Sequence, residues 1–236
     1  MKLEVLPDIE SVARAGAAAI ADAARAAVEA RGRFLLAVSG GRTPWVMLRA
    51  LARASLPWSD IHVLQVDERA APADDPDRNL AHLRESLLSN APLPPENIHA
   101  MPVERDDLTA AAADYARTLE SFAGRPPVLD MVHLGLGPDG HTASLVPGDP
   151  ILEVRDAWVG TAGPYQGRER MTLTFPVLDS ARHVLFIVTG AEKADALARL
   201  LAHDPTIPAG RVRPDKALVI ADRLATAGVE NDESDH

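Results

Sequence analysis

Short runs of consecutive apolar residues alternate along this chain with longer segments in which apolar positions recur every three or four residues. The runs are typical of strands buried on both faces of a parallel sheet, and the longer segments are typical of amphipathic helices. Segment 9–31 is the longest predicted helix, with Asp8 as its N-cap and Gly32 as its end. The pattern predicts strands at 2–6, 34–38, 61–66, 129–134, 158–160, 171–175, 184–188 and 217–220. It predicts helices at 9–31, 44–53, 80–88, 107–122 and 192–202.

This order of elements predicts an α/β fold: a Rossmann-like, mostly parallel sheet sandwiched between helical layers. No internal repeat or low-complexity linker divides the 236 residues, and 47% of them are hydrophobic, which is enough for a sizeable core. We therefore expect a single α/β domain over 1–229, followed by an acidic, disordered tail over 230–236.

Cysteine is absent, which excludes disulfides, thiolate zinc sites and a cysteine nucleophile and is compatible with a reducing cytosol. The N-terminus lacks the apolar core of a signal peptide. The alanine-rich run that follows is broken by Arg14, Asp22 and Arg25, so it is not expected to span a membrane. We expect a cytoplasmic protein with no membrane partner.

The formal net charge is −10, and no basic cluster of the kind that binds nucleic acid stands out. We therefore expect no nucleic-acid partner. If the ligand is an anion, the cations that bind it must be placed individually, because the protein as a whole provides no attractive field.

The most informative stretch is 134–148, a loop rich in glycine and proline that follows a predicted strand. It places Asp139 and His141 two residues apart. In α/β folds, loops after buried strands carry binding and catalytic groups. The alternative is an ordinary turn with a solvated Asp and His.

The same stretch also matches the dinucleotide fingerprint G-x-G-x-x-G through Gly135, Gly137 and Gly140. That fingerprint requires a long helix directly after it, with its N-terminus at the pyrophosphate. Pro147 follows within two turns and prevents such a helix. The sequence therefore argues against nucleotide binding.

A second candidate site joins the strand at 34–38 to the helix that begins near Pro44. Its residues are Ser39, Gly40, Gly41, Arg42 and Thr43. Adjacent glycines let backbone N–H groups approach a ligand, and a helix N-terminus favours an anion. The G-K-[ST] ending of a nucleotide P-loop is missing. The alternative is a strand-to-helix turn capped by Ser39 or Thr43.

Charged residues follow or open several other predicted strands. Asp67, Glu68 and Arg69 follow the strand at 61–66, and Arg170 opens the strand at 171–175. Lys193 lies in the first turn of a predicted helix, where the helix dipole disfavours a cation, so a ligand charge is expected to offset it. We expect all these segments on the side of the sheet where such folds bind ligands.

Together these segments resemble the 6-phosphogluconolactonase family over nearly the whole chain, from Val38 to about Asp222. The matching motifs are 39–44, 67–69, 135–148, 170–174, 190–193 and 207–209. The resemblance implies a fold like glucosamine-6-phosphate deaminase and hydrolysis of 6-phospho-D-glucono-1,5-lactone in the pentose phosphate pathway. One departure is Arg78 beside Asn79, where the family often has Ser-Asn.

The resemblance also implies roles for individual residues. His141 would take the proton of the attacking water, and Asp139 would orient the imidazole or position the water. Arg69 or loop N–H groups would stabilise the oxyanion. The substrate and its phosphate would be held by Arg170 and Lys193 with Ser39, Gly40, Gly41, Arg42, Thr43 and Asp67. No metal or organic cofactor is implied, and His62, His133 and His183 are expected to be structural.

Three other functions remain to be compared with this one. The deaminase-isomerase branch continues the same loop with Phe-Asn-Glu-Pro, whereas this chain has Ser144-Leu145-Val146-Pro147 and lacks the Glu. A serine esterase is disfavoured because no G-x-S-x-G elbow occurs. A sugar-phosphate-sensing regulator would carry a helix-turn-helix, for which the segment before the first predicted strand has no room.

Overall fold

Residues 1–227 are described by a computed structural model, and the tail expected at 230–236 lies outside them. The strands are β1 (Lys2–Leu6), β2 (Phe34–Val38), β3 (Ile61–Gln65), β4 (Asp67–Arg69), β5 (Ile98–His99), β6 (Met131–Leu134), β7 (Val159–Tyr165), β8 (Arg168–Leu173), β9 (His183–Val188) and β10 (Ala217–Asp222). The α-helices are α1 (Ile9–Arg31), α2 (Arg42–Leu51), α3 (Asn79–Leu83), α4 (Leu108–Ala123), α5 (Phe175–Ser180) and α6 (Ala194–Leu201). In this part of the chain no helix has both the length and the apolar character to cross a bilayer.

A seven-stranded parallel sheet in the order β1-β10-β9-β6-β2-β3-β5 forms the centre of the molecule. Alternate residues of β2 enter different cores. Leu35 and Ala37 pack with residues of α4, α5 and α6, whereas Phe34 and Leu36 pack with residues of α1, α2 and α3. Because both faces are covered, the central strands of the sheet are mostly apolar, and the predicted α/β sandwich is confirmed.

The predicted bounds of β1, α1 and β2 are confirmed residue for residue. The side chain of Asp8 accepts a hydrogen bond from the Ser11 N–H at 2.7 Å, and Gly32 ends α1 with a φ of 72°. These two caps explain the agreement. Asp8 supplies an acceptor for a free N–H group at the start of the helix, and Gly32 tolerates the left-handed backbone that ends it.

Several other element predictions were wrong in detail. The strand predicted at 171–175 ends at Leu173, and Phe175 begins α5, a helix that the apolar pattern hid. Pro176 favours this helix start, since it needs no N–H partner in the first turn. Helix α2 begins at Arg42 rather than near Pro44.

Two further helices differ from the pattern. The segment predicted at 80–88 is α3 followed by a π-helical turn at Arg84–Leu88. Lys193 ends a short 3₁₀ turn, Ala191–Lys193, and caps α6 instead of lying within its first turn.

A second, three-stranded antiparallel sheet in the order β4-β8-β7 was not predicted. Asp67, Glu68 and Arg69 follow the parallel strand β3 as predicted, but they also form β4, which the sequence did not predict. Arg170 was wrongly predicted to open a strand, because it lies inside β8 opposite Arg69. A three-residue strand is too short to show a periodic pattern, and its partner lies far along the chain.

The buried Glu68 carboxylate connects the two sheets at the point where the chain leaves β3. Its oxygens accept hydrogen bonds from the Gln65 side chain at 2.7 Å and from the N–H groups of Arg69, Asn79 and Leu80, each at 2.8 Å. The last two belong to the first turn of α3, so Glu68 caps that helix from a distance. It also lies 3.5 Å from Nε of the buried Arg78.

We expect Glu68→Gln to destabilise the fold by about 3–5 kcal/mol, the usual cost of removing one partner from a buried charge pair. An amide nitrogen would face backbone donors, and Arg78 would lose a counter-charge. The measurement is the free energy of unfolding from urea titration. Glu29→Gln makes the same chemical change on the exposed face of α1 and should stay within about 0.5 kcal/mol of wild type. A Glu68→Gln loss as small as the control's would contradict this role.

Candidate active site

A cleft of about 310 Å³ opens where the carboxyl ends of β2, β6 and β9 meet the second sheet. The sequence-predicted residues that line it are Ser39, Gly40, Gly41, Arg42, Thr43, Asp67, Arg69, His141, Arg170 and Lys193. Asp139 contacts His141 without lining the cleft itself. The structure thus brings together at one cleft the candidate segments at 39–43, 67–69, 134–148, 170–174 and 189–193, from both sheets.

The loop after β6 folds tightly around the ring of His141. The Gly137 N–H donates to the His141 carbonyl at 2.8 Å, and the Thr142 hydroxyl donates to the Gly135 carbonyl at 2.8 Å. A Cβ on Gly137 would lie 2.0 Å from Nδ1 of His141, so only glycine allows the imidazole this close to the backbone. Gly137, one of the glycines that match the dinucleotide fingerprint, thus makes room for the His141 imidazole.

Nδ1 of His141 lies 2.5 Å from Oδ1 of Asp139. A carboxylate beside Nδ1 favours the proton on that nitrogen, which leaves the Nε2 lone pair free to accept a proton. Partial burial alone would raise the pKa of Asp139, but the charge and hydrogen bonds of His141 outweigh burial and lower it. A pair with this geometry can act as a carboxylate-oriented base.

The glycine loop presents a helix N-terminus to the same cleft. Gly41 is the N-cap of α2 with a φ of 141°, and no side chain caps the helix. The predicted alternative of a turn capped by Ser39 or Thr43 is therefore wrong, since the Thr43 hydroxyl bonds instead to that of Thr189 at 2.6 Å. The Ser39 N–H donates to Nδ1 of His133, 3.3 Å away. Free first-turn N–H groups and the helix dipole suit an anion.

Asp67 lies at the base of the cleft. The Ser144 hydroxyl donates to its Oδ2 at 2.7 Å. Burial raises the pKa of Asp67, although this hydrogen bond and the charge of Arg170 oppose the rise. A buried carboxylate with one oxygen held by a hydroxyl can accept a further hydrogen bond from a substrate hydroxyl.

Arg69 and Asn79 hold one another in the cleft wall. Nη1 of Arg69 donates to Oδ1 of Asn79 at 3.1 Å and also to the Asp77 carbonyl. Nδ2 of Asn79 donates to the Asp67 carbonyl at 3.0 Å. Arg78, the departure from the family pattern, is buried and pairs with Glu68 and Glu104, away from the cleft.

Besides Arg69, whose guanidinium is held by Asn79 and the Asp77 carbonyl, two cations of the cleft lack an ion-pair partner in the described part of the chain, Arg170 and Lys193. Arg170 is 6% exposed, and its buried Nε has no hydrogen-bond acceptor. Burial lowers the pKa of both groups. A buried cation without a partner is costly, so an anionic ligand would stabilise both. By contrast, the Arg42 side chain is 98% exposed at the rim.

Sequence reasoning missed Tyr165 and Gln166, which also line the cleft. Tyr165 and Gln166 lie at the turn between β7 and β8, and no sequence pattern showed that this hairpin reaches the site. His133 is fully buried and its pKa falls to about 3, which fits a structural role. Within residues 1–227, no cluster of three or more His, Asp or Glu side chains could hold a metal.

Comparison with known proteins relates this site to a family. The family model described as glucosamine-6-phosphate isomerases/6-phosphogluconolactonase matches residues 7–221. A 6-phosphogluconolactonase of Nostoc sp. is 39% identical over 224 residues, which cover 92% of this chain and 93% of the relative. A 6-phosphogluconolactonase of Synechocystis sp. is 42% identical over 200 residues, which cover 82% and 83%.

A solved structure gives the same result. The crystal structure of 6-phosphogluconolactonase from Thermotoga maritima superposes with a TM-score of 0.84 at 30% identity, covering 94% of this chain and 98% of that one. The chain therefore belongs to the glucosamine-6-phosphate isomerase/6-phosphogluconolactonase family.

Proposed function

We propose that this protein hydrolyses 6-phospho-D-glucono-1,5-lactone to 6-phosphogluconate, a step of the pentose phosphate pathway. The observation that carries the proposal is the imidazole of His141, bonded to Asp139 through Nδ1 and facing a cleft that holds Arg170 and Lys193, two cations without an ion-pair partner. Lactone hydrolysis needs a base and an anchor for the phosphate, and this arrangement supplies both. The names of the relatives support the same substrate.

In the proposed mechanism, Nε2 of His141 accepts a proton from water as the water oxygen attacks the lactone carbonyl carbon. The carbonyl π electrons move to oxygen and form a tetrahedral oxyanion. When this intermediate collapses, the bond from C1 to the ring oxygen breaks. The imidazolium then donates its proton to that oxygen, which becomes the hydroxyl on C5. Asp139 stabilises the imidazolium while it exists.

Two groups carry negative charge during the reaction, the substrate phosphate and the oxyanion of the intermediate, and different cations are proposed to bind each of them. Arg170 and Lys193 are proposed to bind the phosphate together with the N-terminus of α2. Arg69 is proposed to stabilise the oxyanion. The alternative oxyanion donors in the His141 loop are disfavoured, because the N–H groups of Gly137, Gly140 and His141 already bond within the loop.

We expect His141→Ala to lower kcat by about 10²–10⁴-fold, the usual contribution of a positioned acid–base group, with little change in stability. The measurement is lactone hydrolysis with the spontaneous rate subtracted. His183→Ala is the matched control, because His183 is exposed at the amino end of β9, whereas the cleft lies at the carboxyl ends of the strands. Equal turnover in His141→Ala and the control would remove His141 from the role of base.

Deamination of glucosamine 6-phosphate is the alternative activity, because the family model covers both branches. We expect no ammonia release from glucosamine 6-phosphate above background, because Leu145, Val146 and Pro147 occupy the place of the Glu that would assist ring opening. A coupled ammonia assay at the enzyme concentration used for the lactone is the measurement. Ammonia release at a rate comparable with lactone hydrolysis would place the chain in the other branch.

We expect Lys193→Ala to lower kcat/KM for the phosphorylated lactone by about 10- to 150-fold, the equivalent of roughly 1.5–3 kcal/mol for one charge-assisted contact. For gluconolactone without phosphate the loss should be much smaller, since that substrate never uses the contact. Both values are measured against wild type. Equal proportional losses on the two substrates would mean that Lys193 supports the fold or the chemistry generally.

A further inference from the structure

Tyr165 reaches the cleft because of an irregularity in the β7–β8 hairpin. Ala162 pairs with Arg170, and Tyr165 pairs with Arg168, so two residues of β7 lie opposite one residue of β8. Such a bulge reverses the direction of the side chains that follow it and often occurs beside active sites. Gln166 and Gly167 then turn the chain with φ values of 54° and 79°, the conformation of a tight hairpin turn.

The tip of this hairpin is tied to the loop before α3. Nη1 of Arg168 lies 2.7 Å from Oδ2 of Asp75, and its Nη2 lies 3.5 Å from Oδ2 of Asp77. Asp77 in turn accepts from Arg69 through its carbonyl. The hairpin tip is therefore held against the cleft wall, and the position of Tyr165 is defined by contacts at its own end of the hairpin.

The ring of Tyr165 contacts two groups that the proposed function uses. It meets the His141 imidazole edge to face, with ring centroids 5.2 Å apart and planes inclined at 61°. The Arg170 guanidinium lies over the same ring, with Cζ 5.6 Å from its centroid, and donates to the Tyr165 carbonyl at 3.2 Å. Burial, followed by the charge of Asp139, raises the pKa of the Tyr165 hydroxyl.

We propose that Tyr165 is a positioning residue whose aromatic ring holds the His141 imidazole and the Arg170 guanidinium in their working places. The inference rests on the proposed function and adds a residue to it. Without the ring, the imidazole keeps only Asp139 and the Gly137 backbone as restraints, both on the side of its own loop. Arg170 also loses its cation–π contact with the ring. That contact matters because the guanidinium has no carboxylate partner to hold it in place.

The test compares Tyr165→Ala, Tyr165→Phe and the control Glu169→Ala on the phosphorylated lactone and on gluconolactone. Glu169 lies in the same hairpin, and its side chain is exposed. Tyr165→Ala should lower kcat about 10- to 100-fold on both substrates, because the base is displaced whichever lactone is bound. For the phosphorylated lactone alone, KM should also rise about two- to fivefold as Arg170 loses its cation–π contact.

Tyr165→Phe should keep kcat and KM far closer to wild type than Tyr165→Ala does, because the ring makes both contacts while the hydroxyl faces Asp139. Wild-type turnover in Tyr165→Ala would overturn the inference while leaving the proposed function intact. A defect in Tyr165→Phe as large as in Tyr165→Ala would also overturn it, because the hydroxyl would then be the working group.

A spectroscopic measurement separates this inference from the proposed function. In ¹H–¹⁵N spectra of the imidazoles, the ring current of Tyr165 should displace the carbon-bound proton signals of His141. That displacement should vanish in Tyr165→Ala and return in Tyr165→Phe. Unchanged His141 signals in Tyr165→Ala would contradict the contact, even if the wild-type protein hydrolysed no lactone.

Discussion

The Glu68 carboxylate is the contact on which the geometry of this cleft depends. It is fully buried and accepts four hydrogen bonds from β3, β4 and the start of α3. Those bonds direct the chain out of the parallel sheet into the second sheet and return it as a helix. The neighbours that line the cleft, Asp67, Arg69 and Asn79, take their places from this arrangement. Glu68 itself does not line the cleft, so its part is architectural.

The cations of the site work against the negative net charge of the whole protein. With a net charge of −10, the molecule attracts no anion through its overall field. The site instead contains two individual cations, the buried Arg170 and the half-buried Lys193. Their charges act strongly on a nearby ligand because the surrounding dielectric is low. Leaving them unpartnered reduces stability, which is a common property of binding sites. An anionic ligand would relieve this cost.

The features predicted best from the sequence are those that depend on residues close together in the chain. The caps at Asp8 and Gly32 define α1. Because loops at the carboxyl ends of parallel strands lie on the same side of a sheet, the sequence also predicted that the strand-end loops meet, and they line one cleft. The second sheet was missed because β4 has three residues and pairs with a distant strand, while α5 was hidden where Phe175 continued an apolar run. Tyr165 could not be foreseen because its direction depends on a bulge, which is a property of strand pairing.

The central claim is that water attacks the lactone carbonyl in this cleft with the aid of His141. It is tested most directly by following 6-phospho-D-glucono-1,5-lactone, labelled with ¹³C at C1 and C5, by NMR in ¹⁸O-enriched water without protein, with the wild-type protein and with His141→Ala. The proposed mechanism predicts hydrolysis by the wild-type protein well above the spontaneous rate and well above that of His141→Ala, with one ¹⁸O in the carboxylate and none in the C5 hydroxyl. Hydrolysis no faster than in buffer, equally fast hydrolysis with His141→Ala, or label in the C5 hydroxyl, would contradict it.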